Sequence, residues 1–165
     1  MLNNVKKEVE LYEPMRCWLQ QYLEDKYKGW KISTIDSHAR TLDSFLEEAG
    51  VILHYPQTVG LDIQIDVLGI LKKDSKTNIV FIEAKKTSLN LHDLGQLWAY
   101  CKLCDPLEAF LLSSKDLGGL NKIFNNLKRT DLLDFGDRSI IKKMQVGKWD
   151  LITKSIDFKT LIPKI

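Results

Sequence analysis

The sequence has few cysteines, little net charge and no long apolar run, and each of these shortages excludes a class of protein. The three cysteines are an odd number and no signal-peptide pattern precedes them, so we expect no disulfide framework and a reducing, cytoplasmic location. No apolar run approaches the roughly 18 residues that a membrane helix needs, so no membrane span is expected. A formal net charge of only +2 excludes a uniformly basic, histone-like protein.

Ligands for a zinc site are also scarce. Cys101 and Cys104 have the CxxC spacing, but a zinc site needs a second pair of ligands, and the only histidines are His38, His54 and His92. We therefore predict that these two cysteines are buried thiols. The 165 residues, with 44% hydrophobic and 28% charged content and no low-complexity linker, are typical of a single domain with its own core.

The hydrophobic pattern predicts an α/β chain. Helices are predicted over 5–27 (starting near Glu13), 41–49, 91–104 and 120–135, and strands over 30–36, 61–71, 79–84, 108–113 and within 140–158. The short link between the second and third strands favours an antiparallel hairpin. The fourth strand follows a helix, so it is expected to lie parallel to the third. These elements predict a three-layer sandwich in which helices flank a central mixed β-sheet.

Three charged residues lie in or beside the two strands of this hairpin. Asp66 lies inside the first strand, and Glu83, Ala84 and Lys85 end the second. Lys85 follows Glu83 by two residues, so both side chains are expected on one face. Burying such charges without partners is costly, so the strand end requires either exposure to solvent or a metal. From these residues alone, a surface salt bridge and a catalytic metal site are about equally supported.

The catalytic alternative is hydrolysis of a nucleic-acid backbone. Mg²⁺ prefers oxygen ligands and retains several waters. The carboxylates of Asp66 and Glu83 and the main-chain carbonyl of Ala84 would hold the ion and leave positions for water and a phosphate oxygen. The ammonium of Lys85 would activate or position the attacking water, or stabilise the charge that develops on the phosphate.

The two strand segments resemble the core of the PD-(D/E)XK nuclease superfamily. The matching residues are Asp66 in IQIDVLG and Glu83, Ala84 and Lys85 in IVFIEAKK. Ile65 stands where the proline of the superfamily's name would be, which is a frequent departure. In that superfamily these positions bind the metal and activate water.

This resemblance covers about residues 8–114 and implies a restriction endonuclease-like αβββαβ core. The whole chain, 1–165, would then be one nuclease-like domain, completed by residues 115–165. The resemblance implies a Mg²⁺-dependent deoxyribonuclease in which Mn²⁺ would substitute. It also implies DNA as the partner and a homodimer as a common assembly.

The superfamily pattern implies further assisting residues. Many members carry a glutamine in the helix after the lysine, and Gln96 in LGQLWAY has the corresponding place. Many also carry a glutamate in the first helix, for which Glu10 is the first choice and Glu13 the second. Asp62 is a weaker alternative to Asp66 as a metal ligand. Taken alone, each of these residues also fits a solvated position at the edge of the fold.

Contacts with nucleic acid are expected from Lys86, Arg40 and His38. A loop or strand-edge role fits His38 and Arg40 as well. Two alternatives to catalysis stay open: a domain of the same fold that binds nucleic acid or a protein without cleavage, and a small metal-independent interaction domain. RNA stays open as an alternative substrate.

Overall fold

Six strands form one sheet, and they lie side by side in the order in which they occur in the sequence. The strands are β1 (Lys31–Asp36), β2 (Val67–Lys73), β3 (Lys76–Lys85), β4 (Glu108–Ser113), β5 (Gln145–Asp150) and β6 (Ser155–Ile162). This computed structural model describes residues 5–137 and 140–164. Residues 1–4, 138–139 and 165 of the predicted domain lie outside the described part.

The sheet is mixed. Strands β1, β2 and β3 are antiparallel neighbours, β4 runs parallel to β3, β5 runs parallel to β4, and β6 returns antiparallel to β5. The β2–β3 turn is tight because Asp74 adopts a φ of 54°, a conformation that aspartate tolerates better than most residues. The predicted hairpin and the predicted parallel pairing of β3 with β4 are both confirmed.

Helices connect the strands. The main helices are α1 (Tyr12–Lys26), which follows a 3₁₀ turn (Glu8–Leu11), α2 (Leu42–Glu48) and α3 (Leu91–Cys104). Shorter helical turns are Ile52–His54, Pro56–Thr58, Gly119–Asn121, its π-helical continuation Lys122–Asn126, and Thr130–Leu133. The side chain of Asn90 caps α3 by accepting a hydrogen bond from the Asp93 N–H, and Asp105 ends it in the left-handed conformation. These local signals explain why the predicted bounds of α3 match the observed ones.

Alternate residues of the central strand β3 enter two separate cores. Val80 and Ile82 belong to the core beneath α1. Ile79 and Phe81 point to the opposite face and belong to the core beneath α2 and α3. A continuous apolar run of this kind is typical of a strand that is covered on both faces. The fold is therefore an α/β sandwich with a mixed sheet between helices, as the sequence predicts.

The strand predicted over 61–71 begins only at Val67, so its first half is wrong. Asp62 has a φ of 53°, which interrupts an extended run. The carbonyls of Ile63 and Asp66 accept hydrogen bonds from N–H groups of the segment after β1, at 2.7 and 3.0 Å, rather than from a neighbouring strand. Apolar and polar residues alternate in this segment because every second side chain is buried, although its backbone does not pair with a neighbouring strand.

The helix predicted over 120–135 is also wrong as one continuous element. The helical turn Gly119–Asn121 passes into the π-helical turn Lys122–Asn126, and a separate 3₁₀ turn follows at Thr130–Leu133. Lys128 between them has a φ of 58°, which ends any right-handed helix. The hairpin predicted within 140–158 is confirmed as β5 and β6.

No helix within residues 5–137 and 140–164 is long and apolar enough to cross a membrane. Cys101 and Cys104 are free and buried, and Cys17 is free and exposed. Burial raises the pKa of both buried thiols, that of Cys104 to about 11. A thiol with a raised pKa is a poor nucleophile and metal ligand, so the buried-thiol prediction is confirmed.

Candidate active site

The end of the β2–β3 hairpin opposite its turn brings the predicted residues together. Val67, the first residue of β2, pairs with Ile82 of β3. Asp66 and Glu83 are therefore the next residues on each chain, beyond the last paired position. Strand β3 continues to Lys85 along β4 alone. Two carboxylates thus meet where the β2–β3 ladder opens.

The backbone of Ala84 holds the Asp66 side chain. The Ala84 N–H donates a hydrogen bond of 2.8 Å to Asp66 Oδ2, in the place where a longer β2 would provide an acceptor. On the other side of β3, the Lys85 carbonyl accepts a hydrogen bond of 3.0 Å from the Ser114 N–H. Because the N–H and C=O of one strand residue face the same neighbour, the Ala84 carbonyl points towards the Asp66 side. It is a third oxygen at the same opening.

Glu83 and Lys85 interact on one face of β3, as their spacing predicts. Lys85 Nζ lies 3.8 Å from Glu83 Oε1, and the two side chains are 20% and 9% exposed. Glu83 Oε2 is enclosed and has no hydrogen-bond partner among the described residues. Buried carboxylate oxygens are normally paired, because desolvating them without a partner is costly. A cation or a proton would satisfy this oxygen.

Burial and mutual repulsion shift the ionisation of both acids. Burial, and then the negative charge of Asp66, raise the pKa of Glu83 to about 9, against the opposing effect of Lys85. Burial also raises the pKa of Asp66, and the hydrogen bond from Ala84 opposes this rise. Burial and mutual repulsion therefore favour the protonated form of the pair, which a bound cation would oppose. Strongly shifted carboxyl pairs are typical of functional sites, although structural clusters also produce them.

Two rings from outside the hairpin extend the site. The Tyr12 hydroxyl interacts with the Asp66 carboxylate and lowers its pKa. The His38 ring lies against Tyr12 with the ring centroids 4.7 Å apart. His38 Nδ1 is 2.5 Å from Asp36 Oδ1, at the end of β1. These contacts connect β1 and α1 to Asp66, and neither Tyr12 nor Asp36 was singled out from the sequence.

Glu8 is the acidic residue of the N-terminal region that lies beside the site. Its Oε2 accepts a hydrogen bond of 3.2 Å from the Lys86 N–H, and its charge contributes to the raised pKa of Glu83. Sequence reasoning missed Glu8 because three glutamates follow one another closely in KKEVELYEP. The 3₁₀ turn before α1 determines which of the three glutamates approaches the site, and no sequence pattern predicts that turn.

The two glutamates chosen from the sequence make other contacts. Glu10 caps its own turn by accepting hydrogen bonds of 2.9 and 2.7 Å from two backbone N–H groups in front of it. Glu13 binds the Arg16 guanidinium at 2.7 Å on the helix surface. The structure does not bring either of them into contact with the paired carboxylates.

Gln96 and Asp62 also lie apart from these acids. Gln96 is exposed on α3, and its Nε2 is 3.4 Å from the Tyr100 hydroxyl one turn later. Asp62 is exposed in the left-handed turn before β2. In the described ranges, neither side chain has a hydrogen bond to Asp66 or Glu83.

The three residues expected to contact nucleic acid have different surroundings. Lys86 is exposed directly after the site. His38 borders the site through its ring contact. Arg40 is turned onto α2, where its guanidinium covers the Phe45 ring at 4.4 Å and pairs with Glu48 at 2.8 Å.

The residues present fit a divalent cation that prefers oxygen. Asp66, Glu83 and the Ala84 carbonyl supply oxygens, and a cation would satisfy the enclosed Glu83 Oε2. In the described part of the chain, no group of three or more His, Cys, Asp or Glu side chains is placed to hold a metal ion. A carbonyl and water would have to complete the shell, which is the usual arrangement for Mg²⁺.

Comparison of the chain with protein-family models, curated proteins and solved structures finds no match. The resemblance to the PD-(D/E)XK superfamily therefore depends on the motif residues and on their arrangement. The fold and site together define a mixed-sheet α/β protein with paired carboxylates and a lysine at an open strand end.

Proposed function

We propose that this protein is a metal-dependent nuclease that hydrolyses phosphodiester bonds in DNA. The observation that carries the proposal is the buried Glu83 Oε2, which has no geometric hydrogen bond to any described residue although Glu83 interacts with Asp66 and Lys85. A structural salt bridge would use both oxygens of the carboxylate, since unsatisfied buried acceptors destabilise a fold.

The proposed mechanism assigns a separate task to each group. Asp66, Glu83 and the Ala84 carbonyl hold the ion, and Ala84 N–H orients Asp66 through its 2.8 Å hydrogen bond. Bound Mg²⁺ would lower the pKa of a coordinated water and neutralise charge on the phosphate. Lys85 positions the attacking water or stabilises the negative charge on the phosphate oxygens. Burial raises the pKa of Asp66, and the Tyr12 hydroxyl, together with the Ala84 N–H and Lys85, opposes this rise.

The proposal is tested by incubating the protein with supercoiled, linear and branched DNA, with and without Mg²⁺. We expect cleavage that requires Mg²⁺ and that falls by about 100- to 1,000-fold in Asp66→Asn and in Lys85→Ala. Asp74→Asn and Lys76→Ala are matched controls, because they make the same changes at the turn end of the same hairpin. Both controls should cleave at the rate of the unchanged protein.

Cleavage that survives both Asp66→Asn and Lys85→Ala would disprove this site. The second candidate is a domain of the same fold that binds a partner without cleavage. The observation that favours it is the absence, in the described residues, of a third acidic side chain grouped with Asp66 and Glu83 as a metal site. It predicts no cleavage and no heat release when Mg²⁺ is titrated into the protein.

A further inference from the structure

A row of residues crosses the ends of the three parallel strands beside the proposed site. In the sheet register, Lys85 of β3 pairs with Ser113 of β4, and Ser113 pairs with Lys148 of β5. Residues paired across neighbouring strands project to the same face. Val146, two residues before Lys148, belongs to the core beneath α3, so the side chains of Val146 and Lys148 project to the α3 face of the sheet. Lys148 is therefore on the same face and in the same row as the proposed catalytic lysine.

The spacing of this row suits a nucleic-acid strand. Two strand-to-strand separations place the Cα atoms of Lys85 and Lys148 about 10 Å apart. At that distance a second cation can contact a backbone phosphate close along the same strand to the one at Lys85. Ser113 between them is buried, and its hydroxyl donates to the Thr87 carbonyl at 2.6 Å. The middle of the row is thus small and neutral, with a cation on each side.

Among the half-buried lysines of the described residues, Lys148 is the one whose ammonium has no hydrogen-bond or ion-pair partner. The described part of the chain contains five such lysines, and in four of them the ammonium contacts an oxygen. Lys72 and Lys143 donate hydrogen bonds to the carbonyls of Ala49 and Thr130. Lys85 and Lys142 form ion pairs with Glu83 and Asp105. For Lys148 only the backbone N–H is bonded, to Thr160 Oγ1 at 2.8 Å. Asp157 pairs with Lys148 across β5 and β6, but its carboxylate accepts a 3.1 Å hydrogen bond from the Lys159 N–H and forms no ion pair with Lys148 among the described residues. A partly desolvated ammonium that is not ion-paired favours an anionic ligand.

A groove of about 360 Å³ runs past Lys148, and its other lining residues include Gly118, Asn121 and Thr160. Asp116 also lines it, but its carboxylate accepts a 2.9 Å hydrogen bond from the Gly118 N–H in its own turn. A second groove that Lys148 also lines includes Asp150. That carboxylate also bonds N–H groups of its own turn, at 2.8 and 3.2 Å. Lys148 is the cation that both grooves share.

We propose that Lys148 binds a backbone phosphate of the DNA strand whose scissile phosphate lies at Lys85. This inference rests on the proposed nuclease function and adds a second phosphate contact to it. It assigns a role to residues 115–165, where the sequence shows no motif. The contact is to the backbone, so it stabilises binding to every DNA sequence alike.

The test measures binding without cleavage. A fluorescent duplex of about 30 base pairs is titrated with Asp66→Asn protein in EDTA, at salt concentrations between about 50 and 200 mM, and the Kd is read from anisotropy. We expect the additional change Lys148→Ala to weaken binding by about 3- to 10-fold and to reduce the salt slope by about one. Lys148→Arg should retain most of the affinity, because it keeps the charge.

Lys31→Ala is the matched control. It removes one positive charge from an exposed strand residue at the far edge of the sheet, and its Kd and salt slope should be those of the parent. Equal affinities and slopes for Lys148→Ala and Lys31→Ala would overturn the inference.

Cleavage by the unchanged protein in Mg²⁺ is measured on the same duplex. If cleavage occurs but Lys148→Ala binds normally, the inference is wrong and the nuclease stands. If Lys148-dependent binding occurs without cleavage, the phosphate site stands and the nuclease is wrong. No binding by any variant would overturn both.

Discussion

Two glutamates on neighbouring parallel strands have opposite surroundings. Glu108 begins β4, and both of its carboxylate oxygens are bonded, one by the Tyr22 hydroxyl at 2.6 Å and the other by the Tyr27 hydroxyl and by Lys26 at 3.1 Å. Glu83, near the opposite end of β3, has one oxygen 3.8 Å from Lys85 and the other without a partner. The side chains are similarly enclosed, 12% and 9% exposed.

This difference separates a structural acid from a candidate catalytic acid. Around Glu108, two hydroxyls and an ammonium offset the loss of hydration, so its charge ties α1 to the sheet. Around Glu83 the same cost is offset only in part, and the pKa of the acid rises to about 9. Such incomplete pairing is tolerated where a ligand completes it. Substitutions at each glutamate test whether Glu108 is structural and Glu83 functional.

The largest expected effect on stability is at the structural acid. Glu108→Ala leaves two tyrosine hydroxyls without their acceptor in the α1 interface, so the free energy of unfolding should fall by about 2–3 kcal/mol. DNA cleavage per folded molecule should be unchanged, because Glu108 is at the opposite end of the sheet. Urea unfolding measures the first quantity and an initial-rate assay the second.

Glu47→Ala is the control for this prediction, since that side chain is exposed on α2 and has no bonded partner in the described residues. A loss below about 0.5 kcal/mol for Glu108→Ala would show that the cluster contributes no more than an ordinary surface acid. The contrast between the two glutamates would then fail on the structural side.

A smaller effect is expected from pH at the candidate catalytic acid. Because the folded-state pKa of Glu83 lies above its unfolded value, the folded protein binds more protons between about pH 4.5 and pH 9. Stability should therefore decline as pH rises through this window, by at most about 1.4 kcal/mol per pH unit. Glu83→Gln removes the ionisation and should flatten the decline.

Denaturant unfolding at several pH values checks this sign. If Glu83→Gln and the unchanged protein show the same pH dependence, the raised pKa of Glu83 is not the cause. Mg²⁺ binding favours the ionised form, so saturating Mg²⁺ should also reduce the decline in the unchanged protein. Glu83→Gln should lose this response to Mg²⁺.

The smallest effect distinguishes two tyrosines of α1. Tyr12 lowers the pKa of Asp66, so Tyr12→Phe should move the acid limb of the cleavage pH profile upwards by less than about one unit. Tyr22 belongs to the Glu108 cluster, so Tyr22→Phe should destabilise the fold by about 1 kcal/mol and leave the profile in place. A shift of the acid limb in Tyr22→Phe, or none in Tyr12→Phe, would contradict the division between the clusters.

Much of the fold follows from local sequence signals. Strand β4 and helix α3 have the predicted bounds, because an Asn cap, a left-handed stop and a buried apolar run mark their ends. The segment before β2 was predicted as strand because Ile63 and Ile65 alternate with polar residues. Burial alone produces that alternation, and only the hydrogen bonds to the segment after β1 distinguish it from a strand.

The candidate site was partly predictable for a related reason. Asp66, Glu83, Ala84 and Lys85 are close in sequence and lie on one hairpin, so spacing and strand periodicity suffice to bring them together. Glu8 comes from an element about 75 residues away from Glu83, and its choice over neighbouring glutamates depends on how the N-terminal turn packs on β3. Short-range patterns carry no information about such packing.

Local sequence patterns are sufficient to predict the α/β class, the succession of most strands along the chain, and the pair of acids with a lysine two residues after the second acid. The tertiary structure decided which oxygen is left without a partner, which glutamate approaches the pair, and that Lys148 joins the row of Lys85. The two kinds of feature differ in how far apart along the chain the interacting residues lie. Side-chain periodicity acts over a few residues, whereas desolvation and charge pairing depend on groups that only the folded sheet brings within a few ångströms.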